Sequence, residues 1–308
     1  MRIFVYEHLT AQGIGREPAD PMHAMYREGL AMRDALAEDL LKLAGVEVVF
    51  TEQPHDLAVI IAPETDGLLL GLAKQFASTI LGPTPTAIAL TSDKLALSNH
   101  WRERGIPTPA TTDREPTPCE AFPVVWKPRD GCGSTATFLL NDAFDVAQAK
   151  ASREVASPMI LQEFVPGRAA SLAFLCGPNG NVPLIPAFQR LSSDGRFKYL
   201  GGELPIPAGL AERAVNLGTR AVESLPGLKG YVGVDLVLGD AADGSQDFAI
   251  EINPRLTTSY VGLRAHAEFN IAEAMLQIAR GAAAPEMRWK AVRVRFEPDG
   301  MVAPVDQV

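Results

Sequence analysis

Cysteine is scarce in this chain: Cys119, Cys132 and Cys176 are odd in number, far apart, and form no CxxC pair. That excludes a disulfide scaffold and a zinc knuckle as organising principles. Positive charge is also in deficit, with 28 Lys and Arg against 37 Asp and Glu, a net charge of −9. Phosphate backbones are bound by clustered Lys and Arg, so nucleic acid is not an expected partner. No apolar run approaches the ~20 residues that span a bilayer, so no membrane partner is expected either. The opening residues, MRIFVYEHL, lack the basic stretch and cleavage site of a signal peptide. A soluble, reduced, cytoplasmic protein is the expectation. What is present is an ordinary globular balance, 47% hydrophobic and 21% charged over 308 residues. That length holds two or three compact units of ~100–200 residues each.

The apolar pattern changes along the chain. Ile3 to Tyr6 reads as a buried strand followed by a loop, His8 to Gly15. Apolar residues recur at helical spacing from His23 to Ala44, where Gly45 ends the pattern. Val46 to Phe50 and Leu57 to Ala62 are unbroken apolar runs, as in strands covered on both faces. A helix between them and another from Asp66 to Ser78 predict a parallel α/β unit over the first ~85 residues. The run Gly82-Pro83-Thr84-Pro85-Thr86 reads as a linker. Beyond it, Ser92 and Asp93 can cap a helix to about Arg104. Phe122 to Lys127, Thr135 to Leu140, Met159 to Val165 and Ala170 to Cys176 read as strands in hairpin order. A helix over Ala208 to Leu225, strands Gly230 to Leu238 and Asp247 to Asn253, and a helix over Ala265 to Ala279 follow. Hairpins with helices to one side predict α+β units.

Three segments look chemical. The loop Lys127-Pro128-Arg129-Asp130-Gly131-Cys132-Gly133-Ser134-Thr135 lies between two strands. Its glycines let backbone N–H groups turn toward an anion while the lysine adds a point charge. A Gly-rich hairpin with a solvated lysine explains the loop equally well. Cys132 reads there as a small tolerated side chain rather than a reactive thiol. Glu251 and Asn253 are two apart in one strand, so both leave the same face, and Asp235 comes beside them if the strands pair. Two carboxylates and an amide, without His or Cys, suit a hard cation completed by phosphate oxygens. Gln162-Glu163-Phe164-Val165-Pro166-Gly167 ends a strand where backbone groups could meet an adenine edge, or where a strand simply ends.

Taken in order, Asp93-Lys94, Lys127 with its loop, Gln162 to Val165, Asp235 and Glu251-Ile252-Asn253-Pro254-Arg255 resemble the ATP-grasp superfamily of ligases. The resemblance implies an α/β domain over residues 1–88, a lid subdomain over 89–160, and a second α+β subdomain over 161–308, the two clamping ATP. It further implies that Lys94 and Lys127 contact phosphates, that Gly131, Gly133 and Ser134 close over them, and that Gln162, Glu163 and Val165 flank adenine. Asp235, Glu251 and Asn253 would hold Mg²⁺, with Mn²⁺ as a substitute. Arg255 would meet the transferred phosphoryl group, and Arg190 would clamp the acylphosphate or substrate. One departure concerns ribose: Ala169 stands where relatives place an acid, and Ser171 is a weak replacement. The opening Phe4-Val5-Tyr6-Glu7 and the run from Glu251 to Tyr260 are similar to the small ligases that include tyramine–L-glutamate ligase. That similarity implies glutamate and an aromatic amine as substrates, cationic partners for glutamate among Arg190, Arg196 and Arg255, and an acceptor site near Glu7. Carboxylate and amine small molecules are thus the expected partners, alongside a homodimer. A carboxyphosphate-forming carboxylase and a non-catalytic ATP-binding module remain alternatives.

Overall fold

The computed structural model describes residues 1–152, 154–155 and 158–305. Strands Arg2–Glu7, Glu47–Val49 and Leu57–Ile61 pair in parallel, with the first in the middle. Met32, Leu36 and Leu40 of the helix His23–Leu41 cover one face with Ile3 and Val5. Leu69, Ala73 and Phe76 cover the other with Phe4, Ala58 and Ile60. Double burial is why these strands carry unbroken apolar runs. The expected helix between the second and third strands does not form. Residues 50–56 are too few to nucleate one, and Pro54 removes a donor. Where a loop was expected, His8–Gln12 makes one short helix, because the Glu7 carboxylate accepts from the N–H groups of Leu9 (3.2 Å) and Thr10 (2.7 Å).

A second, antiparallel sheet runs in the order Thr111–Thr112, Met159–Glu163, Val124–Pro128, Phe138–Leu140. Trp126, Phe138, Val146 and Leu161 give it a core of its own. The third sheet has eight antiparallel strands, with Gly230–Leu238 between Phe248–Asn253 and Arg168–Gly177. Leu217, Ala221 and Val222 of the helix Ala208–Glu223 pack on Leu172, Phe174 and Val232. Leu97 and Trp101 of the helix Lys94–Glu103, expected with the middle unit, enter this same core. The other face, through Ala173, Leu175 and Tyr231, shares one core with the N-terminal sheet. Among the described residues the four-stranded sheet keeps its core apart from these two.

The single helix expected over Ala265 to Ala279 is two, Ser259–His266 and Ile271–Ala279. Ala267 is extended (φ −68°, ψ 142°), and the Asn270 side chain caps the second helix by accepting from the Glu273 N–H. Asn270 also donates from Nδ2 to the Asp39 carbonyl at 2.8 Å. Asp39 is the polar hub joining the N-terminal unit to the rest. Its carboxylate accepts from Tyr260 Oη (2.8 Å), Arg264 Nε (2.9 Å) and Nη2 (2.8 Å), and Lys42 Nζ (2.9 Å). Burial works to raise its pKa, but the bonds from Arg264, Lys42 and Tyr260 win and the pKa falls. Asp39→Ala strands those donors and is expected to cost about 3–5 kcal/mol in denaturant unfolding. Because the folded pKa lies below the ordinary one, this stabilisation is present above the ordinary carboxylate range and is lost as pH falls through the folded value. Acid melts of wild type and variant should converge.

Candidate active site

The pairing of Gly230–Leu238 with Phe248–Asn253 sets Asp235 opposite Glu251 and Gly233 opposite Asn253. Asn253 Nδ2 donates to Asp235 Oδ2 at 3.1 Å, which leaves the amide oxygen to ligate. Gln189 Nε2 donates to the other oxygen, Oδ1, at 2.9 Å. Burial first, and then the adjacent Glu251 charge, push the Asp235 carboxyl up to about 7. Glu251 goes the opposite way: burial works to raise it, but the charges of Lys94 and Lys127 bring it down. The three oxygen-bearing side chains expected together are together.

Asp93 positions the first lysine. Its Oδ1 caps the helix Lys94–Glu103 by accepting from Leu95 N (3.1 Å) and Ala96 N (3.0 Å). Both its oxygens also hold Arg129, at 2.8 and 2.6 Å, tying the helix to the start of the glycine loop. Lys94 Nζ lies 3.7 Å from Glu251 Oε2 and donates to the Gly131 carbonyl at 2.8 Å. Lys127 is only 8% exposed, on the strand Val124–Pro128. Burial, more than the Lys94 charge, lowers its pKa to about 8, against the pull of Glu251 and Asp235. Gly131 (φ +100°) and Gly133 (φ +68°) take conformations that L side chains avoid. Ser134, also left-handed, donates from Oγ to the Phe197 carbonyl at 2.8 Å. The loop reaches the N-terminal unit, where Asp130 Oδ2 accepts from the Asp66 N–H at 2.8 Å. Burial pushes the Cys132 thiol up to about 12, so it is an inert side chain rather than a thiolate.

Arg255 does reach this corner, but its guanidinium is already paired. Nε and Nη2 donate to the buried Glu64 at 2.9 and 3.3 Å, across 191 residues of sequence. Arg190 is bonded elsewhere, donating from Nη1 to Glu297 at 2.7 Å. Arg196 pairs with Glu154 and lies over the Phe138 ring. Gln162 is buried and donates to Thr111 Oγ1 at 3.0 Å, so its side chain holds the four-stranded sheet rather than facing a ligand. The Glu163 N–H is spent on the Ala110 carbonyl (2.9 Å). Val165 is buried at the strand's end. Ser171 lies beside Asp235 in the ladder, and Ala169 beside Val237. Glu7, expected at an acceptor site, is the helix cap described above.

The ATP-grasp domain family matches residues 91–259, more than half of the chain. The chain belongs to the ATP-grasp family. It is 30% identical over 234 residues to the tyramine–L-glutamate ligase of Methanocaldococcus fervens, covering 75% of this chain and 68% of that protein. A D-alanine–D-alanine ligase of Synechococcus is 31% identical over 193 residues, covering 56% and 57%. Among solved structures, an ATP-grasp superfamily protein from Archaeoglobus fulgidus superposes with a TM-score of 0.72 at 26% identity, covering 96% of this chain and 92% of that one.

ATP-grasp enzymes use ATP with Mg²⁺, and the donor set here fits a hard cation: two carboxylates and one amide oxygen on adjacent strands. Among the described residues no three His, Cys, Asp or Glu side chains gather at metal-binding spacing, so substrate oxygens must complete any shell. Three residues that touch this corner or its neighbours have no counterpart in the sequence analysis: Gln189 bonds Asp235, Glu64 pairs with Arg255, and Glu28 meets Thr258. Glu28 accepts a hydrogen bond from Thr258 Oγ1. No local motif marks any of the three, because each meets the site only through the tertiary fold. Among the described residues no helix is long and apolar enough to cross a membrane.

Proposed function

We propose that this chain is an ATP-dependent ligase that joins a carboxylate to an amine through an acylphosphate, releasing ADP and phosphate. The carrying observation is the meeting of Lys94, Lys127 and Arg255 around the Asp235–Glu251–Asn253 corner. Two anions, a carboxylate and the γ-phosphate, must approach each other in such a reaction, and fixed cations offset their repulsion. Asp235, Glu251 and Asn253 are the residues to hold Mg²⁺ or Mn²⁺, whose part is to polarise the transferred phosphoryl group. Lys127 and Lys94 bind the phosphates, with Lys94 exchanging its Gly131 bond for phosphate oxygen. The loop Gly131 to Ser134 covers them. Arg255, held in place by Glu64, is the cation to meet the transferred phosphoryl group. The carbonyl of Glu163 and the N–H of Val165 remain to meet adenine.

Glutamate as donor and a tyramine-like aromatic amine as acceptor are the substrates that similarity to the tyramine–L-glutamate ligase supports. The check is purified protein with ATP, Mg²⁺, glutamate and a panel of aromatic and aliphatic amines, read by ADP release and product mass. The expected result is ADP formed stoichiometrically with a glutamyl amide of an aromatic amine. Amide formed only from another acid, or ADP with no amide from any amine, would overturn the substrate assignment.

A further inference from the structure

The face that the N-terminal unit turns toward the glycine loop carries an acid with no assigned role. Met25 and Glu28 lie three residues apart on the helix His23–Leu41 and so share one of its faces. Met25 borders the loop, with its Cε 3.5 Å from the place a Cβ on Gly133 would take. Glu28, half-buried, accepts from Thr258 Oγ1, three residues after Arg255. Its charge acts on Arg255, Cys132 and Tyr199, and Tyr199 also feels Asp235. The carboxylate therefore lies within electrostatic reach of Arg255 and of the glycine loop.

Glu28 holds a single side-chain hydrogen bond there. Arg255, the cation on its flank, gives Nε and Nη2 to Glu64. Among the described residues Thr258 is the one side-chain donor Glu28 holds, and it has no ion pair. A carboxylate taken partly out of water without a direct ion pair is costly, and a ligand that brings a cation into contact reduces the cost. The reaction supplies such a ligand, because a primary amine reaches the enzyme as ammonium and must attack as the neutral amine.

We propose that Glu28 is the acceptor-binding residue: it receives the primary ammonium, takes one proton from it, and holds the freed amine toward the acyl carbon beside Arg255. This rests on the ligase reading above. The nitrogen lone pair forms the C–N bond as the C–O bond to phosphate breaks, and that bond's electron pair leaves with phosphate. Of the two protons the ammonium loses, one passes through Glu28 to solvent and the other leaves on hydrogen phosphate. Burial raises the Glu28 pKa, while the Thr258 bond and the Arg255 charge oppose the rise, so this carboxylate takes up a proton more readily than a solvated one. Met25 adds a deformable apolar wall beside the charge, so the acceptor class is a primary amine on an apolar body.

The test uses E28Q, which keeps the shape and an acceptor for Thr258 but loses the charge. Two nucleophiles are compared: a primary amine, and hydroxylamine, which is uncharged at neutral pH and needs no ammonium site. The expected result is a fall of roughly 100-fold or more in kcat/KM for the amine. Hydroxamate formation and the KM for the donor acid should hold within about twofold, which also shows the variant folded. Equal loss with both nucleophiles, unchanged amide synthesis, or a rise confined to the donor's KM would overturn the assignment. If E28Q fails to fold, E28D is read the same way, with a smaller loss expected in the amine arm alone. Wild-type protein that forms neither amide nor hydroxamate would remove the ligase reading and this proposal with it. Hydroxamate with an unaltered E28Q amine reaction would sink the Glu28 assignment alone.

Discussion

Glu251→Gln is expected to leave a folded protein whose ligation is slower by on the order of 10²–10³-fold, the scale of losing one preorganised electrostatic contact. The strand carrying it should survive. Glu251 lies in the ladder opposite Asp235 through backbone pairing, and Gln is nearly isosteric. What disappears is one of two adjacent negative charges. Asp235 is then left as the single carboxylate of the corner, with the neutral Asn253 beside it. Two carboxylates and an amide can hold a divalent cation against competing phosphate charge; one carboxylate and two amides hold it far less well. Lys94 also loses its partner at 3.7 Å, so it is held by the Gly131 carbonyl alone. ADP release under saturating Mg²⁺, with a thermal melt as the folding control, decides the matter. Wild-type turnover in a well-folded variant would remove Glu251 from the site.

Lys127→Met should weaken ATP binding by roughly 10–100-fold and slow turnover further, since the charge that meets the phosphates in the bound state is drawn on more strongly as negative charge develops during transfer. Methionine fills most of the buried volume, so packing around Trp126 and Ile160 is kept. The pH dependence provides a second signature. With the folded pKa lowered to about 8, mainly by burial, the lysine is charged below that pH and loses its proton above it. ATP selects the charged form. Affinity should therefore be level below about 8 and decline above it, with proton uptake on binding. In the methionine variant that decline should vanish. Calorimetry in two buffers of different ionisation enthalpy measures both. Equal affinity in variant and wild type, or a decline that persists in the variant, would contradict this placement.

Where the chemistry depends on spacing within a strand or a cap, the sequence was informative. Glu251 and Asn253 leave one face because side chains alternate, and Asp93 caps the helix Lys94–Glu103 because a carboxylate satisfies its first N–H groups. Where the chemistry depends on two distant segments meeting, it was silent. Glu64 and Arg255 pair across 191 residues, and Gln189 reaches Asp235 from another strand of the eight-stranded sheet. Local pattern and position in the strand order also misled. An alanine-rich run over Ala265 to Ala279 concealed the break at Ala267, which the cap at Asn270 enforces. Glu7 stood at the end of the first strand, where open α/β sheets place ligands, yet its oxygens go to a local cap. The neighbouring helix supplies the acid instead, through Glu28, whose partner Thr258 lies 230 residues away. The expectation that Gln162 meets a nucleotide likewise gave way to a bond within its own sheet.

A corner of this kind activates a carboxylate as its acylphosphate, and that route leaves an isotopic trace. Donor acid labelled with oxygen-18 in its carboxylates, incubated with ATP, Mg²⁺, the amine and the purified protein, tests it in one mass measurement. Phosphoryl transfer to the carboxylate followed by amine attack leaves one labelled oxygen in the released phosphate for every amide formed. Inorganic phosphate that carries no label while amide accumulates would exclude an acylphosphate.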